Sequence, residues 1–287
     1  MNPTAHEPMT CTPSTLTAAD GVRLSVRKFA PQGPTVGTVV LVHGYLEHGG
    51  RYQLLAQALC AQGLAMVAAD LRGHGHSEGP RGHVRRFDDY HHDLSQVLAA
   101  QGPGPLCLFG HSLGGLIALD YGLRGRAPLA GLMVSNPFIA PALRIPRAKL
   151  WLGRVSQRLW PTLAVRAGLK ATDLTSDAEM LAQLRADPLI FDRTTARWFY
   201  EITCAQKRVA QGGALPMPFL GILGMADAIA SPQASLSCFA KLQAPTHTVW
   251  QRPGERHEVL NERGRHALCQ QIAGWARQRI SEAGGRP

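Results

Sequence analysis

Leu106-Cys107-Leu108-Phe109-Gly110-His111-Ser112-Leu113-Gly114-Gly115-Leu116-Ile117-Ala118-Leu119 decides how this chain reads. Its first four residues are apolar without alternation, which suits a strand buried on both faces. The apolar run after Ser112 suits a buried helix. Between them stands Gly-x-Ser-x-Gly, a pattern in which a sharp strand-to-helix turn lifts the serine hydroxyl beside a helix N-terminus. Gly110, Gly114 and Gly115 leave room for such a turn to pack. The pattern recurs at Gly75-His76-Ser77-Glu78-Gly79, but Pro80-Arg81-Gly82 follows and reads as loop. Ser112 is therefore the candidate nucleophile, and Ser77 a loop serine.

Working outward, Thr38–Val42 and Leu64–Ala69 are further buried runs, ending at His43-Gly44 and Asp70. Helical spacing covers 50–61 and 87–100, and Leu129–Val134 is again a strand. Upstream, 15–29 reads as a hairpin turning at Asp20-Gly21. Strands alternating with helices predict a parallel sheet covered on both faces, an α/β fold. From 136 to 213 the alternation stops, leaving helical segments and loops over a stretch too long for an ordinary connection. Strand pattern returns at Phe219–Leu223 and Thr246–Trp250, with helices near 235–241 and 263–279. The expected organisation is an α/β core of residues 1–135 and 214–287, interrupted by a helical cap of 136–213.

A serine hydroxyl needs a base to take its proton, and the base needs a carboxylate to orient it. In α/β-hydrolases the chain order is serine, acid, histidine. Asp227 stands just past the strand Phe219–Leu223, and His257 follows the next strand, so both fall at the sheet edge where ligands bind. Asp173, Asp177, Asp187 and Asp192 lie in the insertion, His247 within a strand and His266 within the last helix. Ser112, Asp227 and His257 are the candidate catalytic set. An oxyanion hole needs two backbone N–H donors; Leu113 supplies one, and Tyr45, after His43-Gly44, is the natural source of the other. His43 reads as a residue shaping that loop.

His43-Gly44-Tyr45-Leu46-Glu47-His48-Gly49-Gly50-Arg51-Tyr52 resembles the His-Gly-x-x-Glu-His-x-x-Arg-Tyr signature of the monoacylglycerol lipase and bacterial lysophospholipase family. Asp70-Leu71-Arg72-Gly73-His74-Gly75-His76-Ser77-Glu78-Gly79-Pro80-Arg81-Gly82-His83 is similar to that family's second signature, which accounts for the repeated serine pattern. The Ser112 turn, Asp187-Pro188-Leu189 and His257-Glu258-Val259-Leu260-Asn261-Glu262 also match. The resemblance implies the α/β-hydrolase fold with a helical cap, acting on carboxylic esters of single-chain lipids (monoacylglycerol or lysophospholipid). The chain departs from the pattern at Ala228, Glu255 and Arg256, which bears on the substrate pocket. A small-ester carboxylesterase, an acyltransferase or a non-catalytic ligand-binding homologue are the alternatives on this fold. Serine at position 112 excludes the epoxide and haloalkane hydrolases, which need aspartate there.

The chain has 287 residues, 45% of them hydrophobic and 17% charged, with a mean hydropathy of −0.08. Such a chain can bury a full core, which excludes disorder. No apolar run reaches the roughly 18 residues of a membrane span. The first residues have neither basic nor apolar signal regions, so the expected location is the cytoplasm, extending to the membrane periphery. The six cysteines form no Cys-x-x-Cys pair and read as reduced thiols. No cofactor motif is present. Asp88-Asp89-Tyr90-His91-His92-Asp93 tempts a metal reading, but helix-dipole preferences explain its acids and adjacent histidines diverge.

Net charge is +10. Arg144, Arg147, Lys149, Arg154, Arg158, Arg166 and Lys170 supply seven of those charges within 142–170, where no acid occurs. Leu150, Trp151, Leu152, Val155, Leu159, Trp160 and Leu163 are interleaved, with Trp151, Val155 and Leu159 on one helix face. One reading has this face covering the pocket, with solvated arginines opposite. The other adds transient contact with an anionic membrane surface. So large an apolar component argues against nucleic acid. The expected partner is a small lipid ester.

Overall fold

A computed structural model describes residues 9–143 and 147–285 of the chain. Eight strands form one sheet: β1 Met9–Thr17, β2 Arg23–Pro31, β3 Gly37–Val42, β4 Leu64–Ala69, β5 Leu106–His111, β6 Gly131–Ser135, β7 Phe219–Gly224 and β8 His247–Arg252. Their order is β1-β2-β4-β3-β5-β6-β7-β8. β1 and β2 are antiparallel, and β2 runs antiparallel to β4. From β4 onward every pairing is parallel. The sheet is thus mostly parallel, with helices on both faces.

The unalternating apolar strands are buried, as a doubly covered sheet requires. Every residue of β3, β6 and β7 is buried, whereas β1, at the edge, is largely exposed. Beneath one face pack α1 (Gln53–Ala61) and the last helix, joined by Phe29, Met66 and Phe109. Over the other lie α2 (Phe87–Ala99), α3 (Leu113–Leu123) and the helix Pro232–Phe239. The helix read over 50–61 begins as a 3-10 turn, Gly49–Tyr52, before α1 proper. His48 caps that turn, its ring nitrogen accepting the Gly50 N–H.

Among the described residues, 136–213 contribute no strand to the main sheet. They hold α4 (Arg147–Leu159), α5 (Ala171–Leu174), α6 (Ala178–Ala186) and α7 (Ala196–Val209), with a two-residue pairing of 164–165 against 194–195. α7 buries Trp198, Ile202, Ala205 and Val209, one continuous helical stripe, against the core. α8 (Pro232–Phe239) and α9 (Arg265–Gly284) complete the chain.

The reading of α4 as an apolar face over the pocket is corrected. Trp151 and Leu159 are 66% and 76% exposed, while Gln157 is buried. The cause is a close helix contact: a Cβ on Gly153 would sit 3.1 Å from the Phe199 ring, so the Gly153–Gln157 side faces α7. Arg144 lies outside the described residues, as do the side chains of Arg147, Lys149, Leu150, Leu152 and Arg154.

Candidate active site

Parallel strands end at one edge, and the candidate residues collect there because each follows such an end. Ser112 closes β5 and opens α3 with φ +52° and ψ −113°, a left-handed conformation costly for any residue but glycine. β6 and the loop that follows it hold it. The Ser112 N–H donates to Ser135 O at 3.0 Å, and Ser112 O accepts the Phe138 N–H at 2.9 Å. Gly114 is required here, since a Cβ would collide with the Val42 carbonyl.

His257 Nε2 lies 2.8 Å from Ser112 Oγ, and His257 Nδ1 lies 2.7 Å from Asp227 Oδ2. The carboxylate fixes the tautomer: Nδ1–H donates to Asp227, which leaves Nε2 to accept the serine proton. Asp227 Oδ1 also accepts the Ile229 and Ala230 N–H groups at 2.7 and 2.9 Å. Burial alone would raise this carboxyl. The His257 ring, the Asn136 amide and the Ile229 N–H instead hold it below its ordinary value. All three candidate residues are buried, so the hydrogen bonds operate away from bulk water.

Leu113 is the first residue of α3, and Gly44 abuts Ser112: a Cβ on Gly44 would come 3.3 Å from Ser112 Cβ. Among the described residues neither the Tyr45 nor the Leu113 N–H meets a protein acceptor. Glu47 fixes their loop, its Oε1 accepting the Gly44 N–H and the Tyr52 hydroxyl, each at 2.6 Å. Arg51 then joins Glu47, at 2.6 Å, to Glu258, which it grips through both oxygens at 2.8 Å. One guanidinium thereby ties the loop after β3 to the loop carrying His257. Burial would raise Glu258, but Arg51 draws it down to about 2. His111, beside Ser112, shares a 2.8 Å hydrogen bond with Ser135 Oγ, and burial lowers it to about 4.

His43 has the expected place. Its Nδ1–H donates to Gly44 O and its Nε2 accepts the Leu71 N–H, at 2.7 and 2.8 Å, while burial disfavours its charge. Ser77 is likewise a loop residue: its hydroxyl donates to Asp70 O at 2.6 Å and accepts the Ser25 N–H at 2.9 Å. Asp177 caps α6 and pairs with Arg265, and Asp187 pairs with His48 at 2.8 Å. Among the described residues no group of three or more His, Cys, Asp or Glu side chains could hold a metal ion. His91 is buried between Asp88 and Asp120, and His92 is exposed.

Two features escaped the sequence reading. Asn136 donates to Asp227 Oδ2 at 2.7 Å; an asparagine at the C-terminal end of a buried strand is the one local signal. The Glu47–Arg51–Glu258 bridge lay within quoted motifs, but its partners are 4 and 207 positions apart and only folding joins them. Glu255 and Arg256, the departures beside His257, stay out of the cavity. Glu255 accepts from Arg252, and Arg256 reaches the Thr172 and Thr175 carbonyls, tying this loop to α5. Ala228 is exposed.

Ser112 opens into a cavity walled by Phe138, Leu169, Leu174, Trp198, Phe199 and Ile202. Tyr45 stacks on Trp198 with ring centroids 3.9 Å apart. A second cavity adjoins it across Tyr45 and Leu174, and adds Arg185, Asp187 and Asp192 to Leu184 and Phe191.

Residues 33–264 match the family described as serine aminopeptidase, S33. The chain belongs to this family. A monoacylglycerol lipase of Mycolicibacterium smegmatis is 30% identical over 261 residues, 89% of this chain and 93% of the relative. Human monoglyceride lipase is 29% identical, over 94% of this chain and 91% of the relative. An abhydrolase domain-containing protein of Dictyostelium discoideum is 28% identical over 96% of this chain, which spans only 30% of that protein's length. Among solved structures, a Paleococcus ferrophilus monoacylglycerol lipase superimposes with a TM-score of 0.83 at 29% identity, covering 89% of this chain and 99% of that one. This S33 member therefore has the α/β-hydrolase fold.

Proposed function

We propose that this S33 member hydrolyses carboxylic esters of single-chain lipids through an acyl-enzyme on Ser112. The observation that carries the reading is a serine, hydrogen-bonded to a carboxylate-oriented histidine, at the floor of a largely apolar cavity. His257 Nε2 accepts the Ser112 proton as Oγ attacks the ester carbonyl. The N–H groups of Tyr45 and Leu113 stabilise the oxyanion. His257 then gives its proton to the departing alcohol, and water repeats the sequence to release the acid. The apolar cavity suits the acyl chain, and the adjoining, more polar one suits the head group. Residues 136–213 act as a cap forming the roof of both.

The family description raises a peptide substrate with a free N-terminus. An α-ammonium one residue from the scissile bond needs an unpaired carboxylate beside Ser112; the two acids lining that cavity, Glu47 and Glu258, are both engaged by Arg51, and Asp187 and Asp192 line only the adjoining one. The ester reading is therefore preferred. Among the described residues no helix is long and apolar enough to cross a membrane. Trp151, Leu159, Trp160 and Leu163 nevertheless stand exposed near Arg158, Arg166 and Lys170. Anchoring rings and cations together suit a headgroup boundary, so the cap is the surface proposed to touch anionic lipid. The deciding experiment sets p-nitrophenyl esters, monoacylglycerols, lysophospholipids and an aminoacyl-naphthylamide side by side. Turnover of the amide alone would refute the ester reading.

A further inference from the structure

Asn136 is the first residue after β6, where the chain leaves the sheet for the insertion. Its side chain is buried, and its backbone is left-handed, with φ +42°. It makes three hydrogen bonds. Its N–H donates to Ile222 O at 2.9 Å, and its Oδ1 accepts the Gly224 N–H at 3.1 Å, so two of them clasp β7. The third, from Nδ2 to Asp227 Oδ2 at 2.7 Å, meets the oxygen that also receives His257 Nδ1–H. The other carboxylate oxygen is occupied by the Ile229 and Ala230 N–H groups. Asp227 therefore accepts four donors, and among the described residues only His257 and Asn136 reach it with side chains.

We infer that Asn136 is a positioning residue for the Asp227–His257 pair: its amide, braced against β7, aims Asp227 Oδ2 at the imidazole and keeps the shared proton on nitrogen. The physics is that of a partner behind a ligand. An oxygen with both lone pairs occupied cannot rotate away, and a second donor makes it less basic toward the first. The same segment also grips the nucleophile, since Ser135 O and the Phe138 N–H both bond the Ser112 backbone. The exit into the insertion thus registers the acid against the serine.

The inference rests on the proposed roles of Ser112, Asp227 and His257. A purely structural role for Asn136 would be to tolerate positive φ, which glycine also does, and to clasp β7 through Oδ1, which an aspartate oxygen also does. Asn136→Gly keeps that backbone and deletes the amide. Asn136→Asp keeps the shape and sets an acceptor against Asp227. We expect kcat on p-nitrophenyl butyrate to fall about 10- to 100-fold in Asn136→Gly and further in Asn136→Asp. KM should stay within about twofold, and the low-field proton resonance of His257 Nδ1–H should move in both variants. A folded Asn136→Gly protein with wild-type kcat and an unmoved resonance overturns the inference, even if Asn136→Asp fails to fold. Fluorophosphonate labelling separates the two failures. A wild-type protein inert to the probe refutes the underlying roles, whereas a labelled protein indifferent to Asn136→Gly refutes this inference alone.

Discussion

Ser112 keeps a backbone angle that serine resists because β6 and the loop after it bond its main chain and glycines vacate the space around it. Such preorganisation is what a nucleophile needs, since geometry bought in folding is not paid again at reaction. Ser112→Ala should abolish both fluorophosphonate labelling and ester turnover, leaving about 10³-fold over water from the oxyanion donors and binding. Mass spectrometry of the labelled peptide checks the site; adduct on Ser77 would contradict the assignment. Asp227→Asn should lower kcat by about 10⁴, because the amide favours the wrong histidine tautomer. Steady-state kinetics on a soluble ester would reveal near-normal turnover if the acid lay elsewhere. The meeting of Ser112, Asp227 and His257 was legible because each lies within a few residues of the C-terminal end of a parallel strand, in a fixed chain order. Asn136 was not, because its role depends on β6 and β7 being neighbours, which no local pattern records.

At the scale of elements, Arg51 in the 3-10 turn before α1 is the joint between two loops of the site. Truncating it to methionine leaves Glu47 and Glu258 buried beside each other without a counter-charge, a loss of about 3–5 kcal/mol. The urea midpoint should drop accordingly. Arg51→Lys should recover part of the loss, since an ammonium restores charge but not the two-pronged grip on Glu258. Glu258 also sets a pH window. Its folded carboxyl, at about 2, lies below the ordinary 4.5. Its stabilisation is therefore full above about 4.5 and fades as pH falls toward 2. Glu258→Gln should flatten this part of the stability–pH curve, followed by denaturant melts across that range. α4 illustrates where element-level reading fails. Its apolar stripe predicted a buried face, yet Gly153 lets the opposite side approach Phe199 and leaves Trp151 and Leu159 outside. Periodicity identifies a face; it does not say which neighbour takes it.

For the molecule as a whole, acid should be destabilising well before the carboxylates titrate. Burial lowers His43, and brings His74 to about 3 and His91 and His111 to about 4, against an ordinary 6.5. Below about 6.5 the unfolded chain binds protons that these folded imidazoles refuse, so stability falls from there downward. Urea melts from pH 7.5 to 4.5 should show a steadily declining midpoint, and a flat profile would mean these rings are charged in the native state. The excess positive charge bears on the other whole-molecule expectation. Vesicles containing phosphatidylglycerol should co-sediment the protein in low salt, less so in high salt, and weakly after Trp151→Ala with Trp160→Ala or Arg158→Glu. Equal binding to neutral vesicles, or none to either, would remove membrane contact from the proposal.

Sequence alone determined the main elements of the α/β core and their type, because strands buried on both faces and helices of 3.6 period leave marks within a few residues of each other. It also indicated that Ser112, Asp227 and His257 would meet, since parallel strands ending at one edge turn chain order into spatial proximity. Only the tertiary structure decided which side of α4 faces water, which carboxylates Arg51 neutralises, and that Asn136 stands behind Asp227. Those outcomes depend on side chains 4 to 207 positions apart meeting in a close-packed interior, where space and unpaired charge are settled by neighbours rather than by sequence spacing.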